Sequence, residues 1–203
     1  MYNANQPAEF IAKDVIKAII AETITPDLKA AGYRKQAFTW RKQVEDVVKI
    51  VNVQLSRWNQ SHESAFTINL GIYHELFHAE RGMSPIGKSV NEPDCDVRER
   101  IGRLMGKVDY WWTVAHNKDN HKVKEGVRYN FVNHALPWIE GFGSLPEMYD
   151  WFIQNGDWFG AAVAALLLKR DNVEELTRKT LATANSHFAS NVRRWANKHG
   201  LDV

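Results

Sequence analysis

The sequence predicts an α+β fold on three observations. Apolar residues recur at helical spacing up to about residue 33, alternate with period two between 34 and 115, and return to helical spacing from 117 to 203. The expected architecture is an antiparallel meander of about four or five strands, packed against the N-terminal helices. A C-terminal helical part completes the same core, so residues 1–203 read as a single domain.

The elements follow in order. Ile11, Val15, Ile16, Ile19 and Ile20 form one face of a helix from about Pro7 to Ile24. Thr25 followed by Pro26 reads as an N-cap with proline in the first turn of a second, short helix, which Gly32 ends. Ala37–Arg41 is the first strand expected and Val47–Leu55 the second, with Glu45 and Asp46 in the turn between them. Phe66, Ile68, Leu70 and Ile72 alternate with Thr67, Asn69 and Gly71, the pattern of a strand with one buried face. Cys95–Ile101 and Val108–Val114 are weaker strand candidates. Val123, Val127 and Phe131 then share a helix expected to stop before Pro137. Ser144 and Glu147 have capping-box spacing for a helix running to Gly156. Asp157 is placed to cap an apolar helix reaching Lys169. Asp171 is placed to cap one last helix, whose stripe runs from Val173 to Trp195 and which Gly200 ends.

Composition narrows the function classes. Lys and Arg number 26 and Asp and Glu 24, a formal charge of +2. So weak a field gives no reason to expect nucleic-acid or membrane-surface binding. Arg178, Lys179, Arg193, Arg194 and Lys198 make the last helical stretch basic, but a charge run of this kind reads as a solvated helix face. The longest apolar stretch, Phe159–Leu168, is too short to span a membrane. Cys95 is the only cysteine, which rules out an internal disulfide and a cysteine-based zinc knuckle. With no signal-peptide pattern at the N-terminus, a reducing, cytoplasmic setting is expected.

Ala31–Lys35, Phe38–Arg41, Val51–Ser56, Phe66–Tyr73 and Pro93–Gly102, followed by Trp111-Trp112, occur in an order that resembles an uncharacterised bacterial family, domain of unknown function 4304. The resemblance covers roughly residues 8 to 115 by motif, and the rest of the chain loosely. It implies a fold and no activity.

One motif points to chemistry. His74-Glu75-Leu76-Phe77-His78 is an H-E-x-x-H sequence. On a helix, positions i and i+4 share a face, so His74 and His78 would bind one zinc ion while Glu75 acts as general base. Glu92 stands downstream as third ligand. Against this zinc-hydrolase reading, the motif follows directly on a strand and reaches Gly82 and Pro85 after about two helical turns, and it misses the H-x-x-G-x-x-H continuation. The structural alternative is a short connecting helix with both histidines partly exposed.

The remaining candidates concern binding. Eight tryptophans is a high count, and most are expected in the core. Trp111 and Trp112 are adjacent, so on a strand their side chains lie on opposite faces and an exposed one would anchor a partner. Arg98 and Arg100 alternate on the preceding strand and are further binding candidates. Cys95 among Asp94, Asp96, Arg98 and Arg100 reads as a half-buried strand thiol rather than a nucleophile, because it has no recognisable base. No phosphate-binding glycine loop and no G-x-S-x-G elbow occurs. The function expected is therefore non-enzymatic protein recognition, for instance by a toxin-neutralising, immunity-type partner docking through the sheet or the 74–95 connection. The alternatives are the zinc hydrolase and a small-molecule binder with a tryptophan-lined pocket between the sheet and the C-terminal helices.

Overall fold

The computed structural model describes residues 11–84, 86 and 89–203. The first expected helix is α1 (Ala12–Thr23); the part of it placed at residues 7–10, and Pro85, lie outside the described residues. Ile16, Ile19 and Ile20 form its buried face. In α2 (Thr25–Ala30) the N-cap position falls on Ile24, not Thr25, whose hydroxyl donates to the Ile20 carbonyl.

Among the described residues the sheet has six strands, against the four or five expected. The additional one is β1 (Arg34–Gln36), whose three residues are all exposed and so carry no alternation. Ala37, expected in a strand, is a turn residue at φ 52, and pairing resumes in β2 (Thr39–Val44). Glu45 and Asp46 then form the expected turn into β3 (Val47–Leu55).

β4 (Glu63–His74) is the central strand. One edge pairs with β3. The other is shared end to end: β5 (Val97–Arg100) takes Asn69–Ile72 and β6 (Trp112–Ala115) takes Glu63–Phe66. Between β4 and β5 come α3 (Glu75–Glu80) and a 3-10 turn at Glu92–Asp94; between β5 and β6 comes α4 (Ile101–Leu104). The late strand candidates are thus real but shorter than expected, since the chain turns helical at Ile101.

Strand parity sorts the residues into two faces. Trp40, Val51, Val53, Phe66, Ile68, Leu70, Ile72 and Val97 lie on the inner face and join the core, which continues through α1 to the C-terminal helices. The outer face of β4 was expected to be solvated, yet Thr67 and Asn69 are buried as well. Over the upper part of this face Tyr73, Ile50 and Cys95 form a small second cluster, with Val48, Ile86 and Val90 packed around it. Gly71 makes that packing possible: a Cβ there would sit 2.4 Å from Cys95 Sγ.

The helical part departs from expectation at two places. The helix of Val127 and Phe131 does not stop before Pro137. From α5 (Asn120–Asn130) the chain runs through a π segment at Phe131–Ala135 into α6 (Leu136–Glu140). Pro137 stands in the first turn of α6, where its missing N–H costs little. Further on, α7 (Leu145–Asn155) opens with the expected Ser144–Glu147 capping box and ends at Gly156, φ 69. α8 (Trp158–Leu167) is capped by Asp157 and stops before Lys169, φ 55. It is apolar on nearly every side because other elements surround it.

The single last helix is in fact two, α9 (Val173–Thr183) and α10 (Ser186–Lys198). Asn172, not Asp171, occupies the first cap position, and Ala184 is extended. Asn185 accepts from the Phe188 N–H at 2.9 Å and starts α10. The apolar stripe continues across this break, so periodicity alone conceals it. Among the described residues, no helix is long and apolar enough to cross a membrane.

Candidate functional site

The H-E-x-x-H residues are split between two elements. His74 ends β4 and is the N-cap of α3, a helix of only six residues, so the two imidazoles do not share a helical face. His74 Nδ1 accepts from the Phe77 N–H at 3.0 Å. Its Nε2 therefore carries the proton and donates to Asp46 Oδ2 at 2.8 Å. Both ring nitrogens are engaged. His78 turns to another carboxylate, its Nδ1 lying 2.8 Å from Asp96 Oδ1, while the other oxygen of Asp96 accepts from the His74 N–H at 3.0 Å.

Both histidines are buried, at 3% and 5% exposure, which corrects the expectation of partial exposure. The pattern ties the β2–β3 turn, the end of β4 and the entry to β5 together. Burial pushes the Asp96 carboxyl up, opposed by the His74 N–H and the His78 ring. Glu75 is exposed on the first turn of α3. Glu92, the third ligand candidate, is buried and holds Arg98 instead, at 2.8 and 3.3 Å. Among the described residues, no three His, Cys, Asp or Glu side chains are arranged to hold a metal ion.

Cys95 is more buried than expected. Burial, with Glu92 and Asp96 nearby, pushes its thiol pKa up. A thiol reagent should label it in native protein at least tenfold more slowly than in denaturant, where the thiolate is accessible. Equal rates, measured by mass spectrometry, would contradict this packing.

The binding candidates come together on the outer face. Trp112 is the exception: it is buried on the inner face and stacked on Phe66 at 5.6 Å, so it is a core residue. Trp111 lies on the other side and is partly exposed. The Arg100 guanidinium sits 5.4 Å from its ring centre, and its Nε1 donates to Asp109. Arg100 also donates to Asn69 Oδ1 at 3.0 Å, to Asp109 at 2.7 Å and to Gln54 Oε1 at 3.4 Å.

Strand register extends this arrangement. Thr39, Asn52, Asn69 and Arg100 are successive partners across β2, β3, β4 and β5, a polar row perpendicular to the strands. Asn52 Nδ2 donates to Thr39 Oγ1 at 2.9 Å, and Asn69 Nδ2 to Gln54 Oε1 at 2.8 Å. These residues, with Arg98 and Glu92, line a concavity of about 440 Å³. Arg41 holds the adjoining segment across the sheet through the Val90 carbonyl and Asn91 Oδ1. Arg98, Arg100 and Trp111 were candidates in the sequence; Thr39, Asn52, Gln54 and Asn69, which adjoin the two arginines here, were not. Their signal was polar side chains at outward strand positions.

The site is thus an antiparallel sheet with helices on one face and a hydrogen-bonded polar array on the other, whose concavity also holds the Glu92–Arg98 ion pair. The chain belongs to the family described as a domain of unknown function (DUF4304), whose model matches residues 24–141. The match starts later than the motif resemblance and extends beyond it, through the π segment to the end of α6. No curated protein and no solved structure matches the chain.

Proposed function

We propose that this is a non-enzymatic recognition domain that binds another protein through the open polar half of its outer sheet face. Arg98, Arg100 and Trp111 are its contact residues. The observation that carries this reading is the order already built into Arg100, which has three hydrogen-bond partners and an indole beneath it. Side chains fixed before contact lose little entropy on binding, and Arg and Trp are enriched among residues that dominate interface energies. Their neighbours Asn52, Gln54 and Asn69 supply donors and acceptors suited to backbone amides or polar side chains of a partner.

A toxin-neutralising, immunity-type role in a bacterial cytoplasm is the form of this reading that suits the surface, because inhibition by occlusion needs a rigid face and no reacting group. The lone buried thiol accords with a reducing compartment.

The test is quantitative affinity purification of the wild type beside Arg98→Ala and Trp111→Ala. Trp111 is partly exposed, so Trp111→Ala should leave the melting temperature nearly unchanged. Arg98→Ala also removes the partner of the buried Glu92 carboxylate and should lower it, so the proteins are compared at a temperature where thermal unfolding shows all of them folded. A partner retained by the wild type should be depleted at least tenfold by either variant, a loss of about 1.4 kcal/mol or more. A partner retained equally by all three proteins would overturn the assignment.

A further inference from the structure

The structure carries a second concavity, of about 490 Å³, between the end of α3 and the segment that enters β5. His78 lines it, and Met83, Ile86, Pro93 and Cys95 give it apolar walls. We propose that this cavity binds a phenol, a hydroxyl group on an apolar ring, with the hydroxyl donating to His78 Nε2. This is independent of the outer-face reading.

The imidazole carries the argument. His74 and His78 are buried to nearly the same degree, yet their ring nitrogens are served differently. His74 has a partner at each nitrogen, the Phe77 N–H and Asp46. His78 has one, Asp96 at Nδ1, and no hydrogen bond joins its Nε2 to any described residue. The tie between α3 and the entry to β5 uses Nδ1 alone and leaves Nε2 without a role. Nor is Nε2 sealed off: the ring, only 5% exposed, opens on the cavity. A buried acceptor that lacks a donor is costly, and a donor arriving through the cavity removes that cost.

The ring is set before any ligand arrives. Asp96 Oδ2 accepts from the His74 N–H at 3.0 Å, which holds Oδ1 in place 2.8 Å from His78 Nδ1. Tyr73 packs on the imidazole with ring centres 5.0 Å apart. A carboxylate only accepts, so in the neutral ring Nδ1 carries the proton and Nε2 turns its lone pair to the cavity. The remaining groups define the ligand. Arg81 leans on Asp157 at 3.4 Å, Asp94 accepts from the Asn91 N–H at 2.9 Å, and both oxygens of Asp96 are taken, so the cavity calls for a neutral molecule. Met83, Ile86 and Pro93 suit a flat apolar body, and a methionine sulfur packs well against an aromatic ring. A metal ion would need more ligands, since no three His, Cys, Asp or Glu side chains converge among the described residues.

A phenol has two sources, a free small molecule or the tyrosine side chain of a partner protein. The test is titration of the full chain with para-ethylphenol, and with para-ethylanisole as the match whose oxygen has no proton to donate. Binding is read by calorimetry and by nitrogen NMR of protein labelled in its histidine rings. Saturable binding of para-ethylphenol is expected, with para-ethylanisole at least tenfold weaker, the difference that one hydrogen bond to a buried nitrogen makes. The His78 Nε2 resonance should move on addition while those of His74 stay. His78→Phe should abolish the preference for the phenol. Met83 is exposed, so Met83→Ala keeps the fold and gives a reading even if His78→Phe does not; it should weaken binding about threefold by removing apolar contact. Tighter binding of an acetylated, amidated tyrosine than of para-ethylphenol assigns the site to a partner's side chain, and the reverse assigns it to a free phenol. Absence of saturable binding, equal binding of the phenol and its methyl ether, or an unmoved His78 Nε2 resonance overturns the proposal.

Discussion

Glu140→Ala should destabilise the protein by about 3 kcal/mol in denaturant titration, with an unchanged slope. Glu140, at the end of α6, gathers three donors, two from the inner sheet face and one from Tyr33 just before β1. Tyr33 OH lies at 2.6 Å, Lys42 Nζ at 2.8 Å and Lys49 Nζ at 3.7 Å from its carboxylate. Lys49 is 2% exposed, and its other contact is the Glu140 carbonyl at 3.2 Å. Burial lowers the Lys49 pKa, and the Glu140 charge opposes that. Removing the carboxylate strands a buried ammonium and a buried hydroxyl together. The figure sits at the lower end for a broken buried pair because the Glu140 side chain is 33% exposed and water screens part of the interaction.

Two controls separate charge from packing. Lys49→Met leaves Glu140 with Lys42 and Tyr33 and should change stability by less than about 1 kcal/mol. The pH dependence supplies the other. Burial raises the Glu140 pKa, but the hydrogen bonds from Lys42 and Tyr33 and the two lysine charges outweigh it and hold the folded value below the ordinary 4.5. A depressed carboxyl contributes stability that is present above the unfolded value and is lost as pH falls through the folded one. The wild type should therefore weaken below about pH 4.5, and Glu140→Gln should lose less over the same window.

Asp96→Ala is the second large effect, about 3 to 4 kcal/mol. The Asp96 side chain is 3% exposed and satisfies two groups, the His74 N–H and the His78 ring. Without it, both lie buried with no acceptor. Asp96→Asn retains one acceptor oxygen and should cost about half as much. The contrast bears on the H-E-x-x-H motif. Histidines that bind a metal would leave stability sensitive to a chelator, whereas a structural tie makes it sensitive to Asp96 and indifferent to chelation. Thermal unfolding of both variants, with and without a chelator, distinguishes the two.

Much of the fold was legible because its signals are local. The alternation in Phe66–Ile72, the capping box at Ser144 and Glu147, and Asp157 before α8 each specify structure within a few residues. What escaped depended on partners distant in sequence. β1 has three exposed residues and exists because β2 folds back on it. The helix passes Pro137 because a π segment absorbs the irregularity, which no propensity announces.

The site shows the same division. Residue type alone drew attention to Arg98, Arg100 and Trp111. Their joining to Thr39, Asn52 and Asn69 depends on strand register, which a sequence leaves open. The histidines misled for the complementary reason. Their spacing is local, while the two carboxylates that claim them, Asp46 and Asp96, come from outside the motif.

Hydrogen exchange with mass spectrometry on the protein in complex with its captured partner tests the central claim most directly. Binding at the outer face should slow exchange in segments 39–44, 51–55, 66–71 and 97–111 and leave α7 to α10 unaltered. Protection confined to α7–α10, with the sheet segments exchanging as in the free protein, would contradict it.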